Sequence, residues 1–278
     1  MNKYLIAISV GVLLFFSCQG NKTSGGVAAA DSDSIGADTL PVDTMEQLIS
    51  ETPMPKAADE LFDDFFFNFA ANKKLQSKRI KFPLPTVSGR DTSWVDKSAW
   101  RMEHFFMRQG YYTLIFDNKR QMEVVKDTNI NHVVVEKIFL SKKTVRQYVF
   151  DRANGLWMMT AVVNNPLRQN NNASFLSFYQ RFANDTAFQV RHVANPVRFV
   201  TDDPDDEFRK MTGVLTPETW LAFAPELPGK MIYNVIYGQK YQESTGKVFV
   251  LRGIANGLEV ELCFRKIKGK WQLTELNQ

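Results

Sequence analysis

The chain has 278 residues, 44% of them hydrophobic, with 34 basic against 30 acidic side chains. That composition excludes a wholly disordered chain, and 22 phenylalanines supply core enough for one or two ordinary domains. Two cysteines exclude a disulfide-stapled scaffold, and the basic residues are scattered instead of forming the stripe that nucleic-acid binding needs.

In chain order, Lys3 precedes an apolar or small-residue run from Tyr4 to Phe16, too short to span a bilayer as a helix. The following Leu14-Phe-Phe-Ser17-Cys18 resembles a bacterial lipobox, so residues 1–18 are expected to be a lipoprotein signal with Cys18 cleaved free and acylated. Gln19 is not the aspartate that resembles inner-membrane retention, and no acidic tract follows directly. The resemblance therefore implies a lipid anchor in the outer membrane, facing the periplasm. Cys263 would then be the one cysteine left, between Leu262 and Phe264 in a strand-like run, where a buried inert thiol is expected.

Residues 19–55 are rich in Gly, Ser, Thr, Asp, Ala and Pro and read as a disordered tether. From Gln19 to Glu60 eight acidic residues stand against two lysines, so the remainder is distinctly basic. Asp33-Ser34-Ile35, Asp38-Thr39-Leu40 and Asp43-Thr44-Met45 resemble the O-glycosylation acceptor of gut Bacteroides-type bacteria, which makes Ser34, Thr39 and Thr44 the expected sites.

The rest of the chain repeats itself. A displacement of 113 positions lays Phe62, Phe65, Phe69, Ala70, Gln76 and Pro83 on Phe175, Phe178, Phe182, Ala183, Gln189 and Pro196. Trp100 meets Trp220, Tyr112-Thr-Leu-Ile-Phe116 meets Tyr233-Asn-Val-Ile-Tyr237, and Phe150, Gly155 and Trp157 meet Phe264, Gly269 and Trp271. Offsets that drift by a few residues are what loop insertions do to a duplicated domain. Domains are thus expected at 56–166 and 167–278.

Each repeat opens on an amphipathic helix, 57–71 and then 173–184, with apolar residues three and four apart. Strand-like stretches follow at 80–83 and 190–196, each ending at a proline. Next come short helices: 98–107 carries Trp100, and Thr216 caps one that starts at Pro217 and carries Trp220. Strands are then expected at 111–116, 132–140, 144–150 and 156–163, and again at 231–237, 247–255, 258–266 and 271–276. Asn154-Gly155, Asn256-Gly257 and Lys268-Gly269 read as tight hairpin turns.

Helix, strand, helix and antiparallel meander make an α+β pattern, a bent sheet around a long helix. That order, with the closing Arg265-Lys-Ile-Lys-Gly-Lys-Trp-Gln-Leu-Thr274, resembles the cone fold of nuclear transport factor 2-like proteins. The whole chain resembles a family of uncharacterised Bacteroides-type lipoproteins with two tandem cone-like domains, and that family implies no activity.

No zinc, phosphate-loop, dinucleotide or nucleophile-elbow motif is present, so no metal, cofactor or catalytic residue is assigned. His104, His132 and His192 lack partners at ligand spacing, and Asp202–Glu207 reads as a solvated loop. Aromatic residues able to line a cone cavity are Phe66, Trp100, Tyr112, Tyr179, Trp220 and Tyr233, although repetition also suits core positions. The expected function is a non-catalytic envelope lipoprotein that binds a small ligand, glycan or protein partner. One alternative is a hydrolase or isomerase using one cone, which needs convergent titratable groups such as His192 and a carboxylate. A structural subunit of an envelope complex is the other.

Overall fold

The computed structural model describes residue 52 and residues 54–239, 244–254 and 256–278. Cys18, Ser34, Thr39 and Thr44 lie outside these. Residues 41–278 cluster as one compact unit.

Helix α1 (Phe62–Ala71) buries Phe62, Phe65, Phe66 and Phe69 along one stripe, and Asp63 and Asp64 in its first turn suit the helix dipole. Its counterpart α3 (Ala173–Phe182) buries Phe175, Leu176, Tyr179 and Phe182. Each is followed by a short helix with a side-chain cap. Asn72 accepts the Leu75 amide at the start of α2 (Lys73–Arg79), and Asp185 accepts the Phe188 amide at the start of α4 (Thr186–Arg191). From these helices Gln76 and Gln189 reach inward, and each accepts a tryptophan indole N–H, from Trp100 at 3.1 Å and Trp220 at 3.0 Å. The bonds Phe82–Pro83 and Asn195–Pro196 are both cis.

Twelve strands follow in chain order: β1 (Leu84–Ser88), β2 (Asp91–Val95), β3 (Tyr111–Phe116), β4 (His132–Phe139), β5 (Thr144–Ala153) and β6 (Leu156–Pro166) in the first half. The second half has β7 (Val193–Asp203), β8 (Asp206–Leu215), β9 (Met231–Ile236), β10 (Gly246–Gly253), β11 (Glu259–Ile267) and β12 (Lys270–Asn277). They form one sheet in the order β2-β1-β6-β5-β4-β9-β3-β10-β11-β12-β7-β8. The two halves exchange a strand at its centre. First-half β4 takes second-half β9 as neighbour (Val135 opposite Val235), and second-half β10 takes first-half β3 (Phe249 opposite Ile115). Between β3 and β9 themselves the register holds a single pair, Thr113 and Asn234. Corresponding ladders thus equate Ile115 with Val235, one residue away from the match the sequence suggests. A one-residue slip turns every side chain to the other face, so the difference is substantive.

Helices α1 and α2 cover one face of the sheet. Helices α3, α4 and α5 (Trp220–Phe223) cover the other. Along β9, Tyr233 and Val235 enter the first core and Ile232 the second; along β10, Val248 and Val250 enter the first and Phe249 and Leu251 the second. Buried on both faces, these central strands are nearly continuous apolar runs. Asn154-Gly155 and Lys268-Gly269 adopt positive φ, as two-residue hairpins require.

Five local expectations differ. Helix α5 begins at Trp220 and follows Thr219 with no side-chain cap, so Thr216 does not cap it and Pro217 lies outside it. Helix α2 runs to Arg79, so Ile80 makes one bridge to Met159 and the strand begins only at Leu84. The segment 98–107 forms turns, not a helix. Strand β7 continues through Pro196, where its register with β12 jumps, which accommodates a residue lacking an amide donor. Asp202–Glu207 is the tip of the β7–β8 hairpin, with Asp202 paired to Lys210 and Asp203 to Arg209.

Trp220 is fully buried whereas Trp100 is only partly covered. Trp220→Ala is expected to cost about 3–5 kcal/mol and Trp100→Ala less than half of that, measured by urea unfolding.

Candidate functional site

Adjacent residues on paired strands point to the same face, so a row of partners across the sheet defines a floor. One such row crosses four strands of the first half and one of the second: Ser88 on β1, Asn164 on β6, Arg146 on β5, Lys137 on β4 and Tyr233 on the exchanged β9. The next row carries Tyr148, opposite Val135. Over this floor the turn-rich segment 96–110 lowers Glu103. Phe105, two residues on, holds a left-handed φ of 49° that a bulky side chain rarely adopts, and its ring packs 4.8 Å from that of Tyr148.

Glu103 is the hub. Tyr148 donates its hydroxyl to one carboxylate oxygen at 2.7 Å, while Lys137 (3.2 Å) and Tyr233 (3.3 Å) donate to the other. Its backbone is fixed in turn, because Gln76 accepts the Glu103 amide and donates to its carbonyl. Burial alone would push the Glu103 carboxyl up, but the Tyr148 hydroxyl and the Lys137 ammonium together hold it below the usual carboxylate range. Burial and the Glu103 charge raise Tyr148 and Tyr233, so both remain protonated donors.

Beside this cluster lies a cavity of about 500 Å³. Glu103, Lys137, Arg146 and Tyr148 line one side, and Ser88, Thr144, Phe139, Asn164, Asn165 and Pro166 the rest. Arg146 places its guanidinium 5.5 Å from the Tyr148 ring centre, and its buried Nε has no hydrogen-bond partner.

The matching place in the second half is apolar. Its equivalent ladders put Thr113 where the first half has Tyr233, Leu251 for Lys137, Val260 for Arg146 and Leu262 for Tyr148. Leu251, Val260 and Leu262 are packed into the second core. The scaffold tolerates apolar side chains at these places, so the charges in the first half are not demanded by folding.

Of the aromatic residues expected to line a cavity, Phe66, Tyr112, Tyr179 and Trp220 are buried in the two cores and touch no described pocket. Tyr233 is also buried but its hydroxyl reaches Glu103, and Trp100 acts through Gln76. His192 stacks on Phe188 at 3.7 Å with its Nδ1 against the Phe188 carbonyl, and exposed His132 pairs with Asp151 at 2.7 Å. Among the described residues no cluster could hold a metal. Burial pushes the Cys263 thiol up to about 11, which makes it a poor nucleophile near neutral pH. Sequence reading missed Glu103, Lys137, Arg146 and Tyr148. The available signal was disagreement between the repeats, whereas the search was for agreement.

Residues 41–278 match the family described as a domain of unknown function, DUF4348. The chain belongs to this family. Among solved structures it is similar to an NTF2-like protein from Bacteroides fragilis, at 40% identity and a TM-score of 0.75, over 81% of this chain and 98% of that one. The fold is therefore α+β and NTF2-like. Among curated proteins none matches.

Proposed function

We propose that this DUF4348 protein is a non-catalytic binding protein of the cell envelope, built from two tandem cone-like units, in which only the first cone holds a ligand. Supporting this is the asymmetry of the halves: a polar, charged cavity in the first and packed Leu251, Val260 and Leu262 in the second. Acylation of Cys18 would anchor the chain in the outer membrane on the 19–55 tether, which Ser34, Thr39 and Thr44 would present for O-glycosylation. No helix among the described residues is long and apolar enough to cross a membrane. A partner protein or glycan would be met by the outer surface, whereas the cavity fits a small polar molecule.

The hydrolase or isomerase alternative draws on the same convergence of Glu103, Tyr148 and Tyr233. A general base works best with a pKa near the working pH and a free lone pair. Glu103 is held below that range and is saturated by three donors, which suits a binding wall better.

The test is a thermal-shift screen of small polar metabolites against wild type and Asn164→Trp, which fills the cavity from the row that carries Arg146. A compound present at about 100 times its Kd should stabilise the wild type by about 2.7 kcal/mol and leave the variant unmoved. Equal stabilisation of both proteins would place binding elsewhere and defeat the proposal.

A further inference from the structure

The charges around the first-half cavity narrow the class of molecule it takes, an inference that rests on the binding role argued above. Two cations, Lys137 and Arg146, border the cavity against one carboxylate, Glu103. Lys137 is already spent on Glu103 at 3.2 Å. Arg146 is not: among the described residues it makes no ion pair and no hydrogen bond, and its Nε is sealed from water. With the Nε closed off, it is the two Nη groups, also without a protein partner among the described residues, that the cavity wall offers to an acceptor. The guanidinium carbon lies 5.5 Å from the Tyr148 ring centre, within cation–π range, and a guanidinium can meet a carboxylate at two points.

The remaining walls describe the rest of the molecule. Ser88, Thr144 and Asn164 offer both donors and acceptors, as a polyhydroxylated body requires. Phe139 and Pro166 give it an apolar face to lie on. We propose that the first-half cavity binds a small hydroxylated monocarboxylate of the sugar-acid class, its carboxylate on Arg146 and its hydroxyls on Thr144 and Asn164. A phosphate monoester carries about −1.5 to −2 charges near neutral pH, more than the one uncompensated cation can match.

The experiment is isothermal titration of the full chain with sodium glucuronate, glucose and glucose 6-phosphate, repeated on Arg146→Gln and Arg146→Lys. Melting temperatures establish that each variant is folded. Glucuronate is expected to bind wild type at least tenfold more tightly than glucose does, to lose about tenfold or more in Arg146→Gln, and to fall between in Arg146→Lys. Four results would overturn the proposal. Glucose binding as tightly as glucuronate would leave a polar-ligand cavity without the anion preference. Glucose 6-phosphate binding more tightly than glucuronate would assign the wrong anion. Glucuronate affinity indifferent to Arg146 would place the anion elsewhere. If no probe binds, the sugar-acid class is wrong, and native mass spectra of protein from its own cells then decide the wider reading: a small adduct preserves it, and a bare chain ends both.

Discussion

Produced separately, residues 41–166 and 167–278 will not fold as soluble monomers, and mixing the two will restore the native circular dichroism spectrum. The strand exchange dictates this. Without the second half, β4 loses β9 along the whole ladder from Val134–Ile236 to Phe139–Met231, and the first core loses Tyr233, Val235 and Tyr237. Apolar side chains of that size contribute roughly 1.5–3 kcal/mol each on burial. Their sum approaches the total stability of about 5–15 kcal/mol typical of a domain. The second half fares no better, because β10 would present an open edge in place of β3, and Ile115 would leave the second core. Size-exclusion chromatography of each fragment and of the mixture reads the outcome. Two independently folded monomers would contradict the exchange.

A second large effect comes from Glu136, fully buried on β4 with three amide donors: Asn170 at 2.7 Å, Gln147 at 2.9 Å and Asn234 at 3.0 Å. No cation pairs with it among the described residues. Burial raises its pKa, and the three amides offset that only in part. An acid whose folded pKa lies above its unfolded value of about 4.3 stabilises the fold fully below that value. Its contribution is lost as pH rises through the folded pKa. Each tenfold change in its ionisation constant is worth about 1.4 kcal/mol. Glu136→Gln removes the ionisation, and the unpaired Asn234 Oδ1 can accept the new amide once the Asn234 side chain turns over. The second half places Val250 at the equivalent point of the ladder, so the fold itself does not call for a carboxylate there. Urea unfolding from pH 4.5 to 8 should show Glu136→Gln gaining on wild type steadily as pH rises. A constant difference across that range would refute the assignment.

The eight strands of the two meanders were legible because runs of apolar residues and Asn-Gly or Lys-Gly turns are local signals, and Gln76, Gln189, Trp100 and Trp220 surfaced as repeated residues, though their pairing by hydrogen bond did not. Strand exchange was not legible, since Tyr112–Phe116 and Tyr233–Tyr237 specify strands but carry no mark of which neighbour they choose. The outer hairpins β1–β2 and β7–β8 escaped because charged and polar residues interrupt their alternation; Trp94 and Val214 are largely exposed there, at 63% and 68%. Repetition led the search for a site toward Phe66, Tyr179 and Trp220, which are repeated because they fill cores. Lys137 and Arg146 stand out only once Leu251 and Val260 are known to occupy the matching places.

The central claim is that the first-half cavity, with its Glu103, Lys137 and Arg146 lining, is where this protein holds a small molecule. Native mass spectrometry of the chain purified from its own cells tests it most directly, comparing wild type with a variant carrying Lys137→Leu and Arg146→Val, the second half's apolar residues, together with Glu103→Gln, which removes the carboxylate charge. The account predicts a reproducible low-mass adduct on wild type and none on the folded variant. An adduct that persists on the variant at equal occupancy would contradict it.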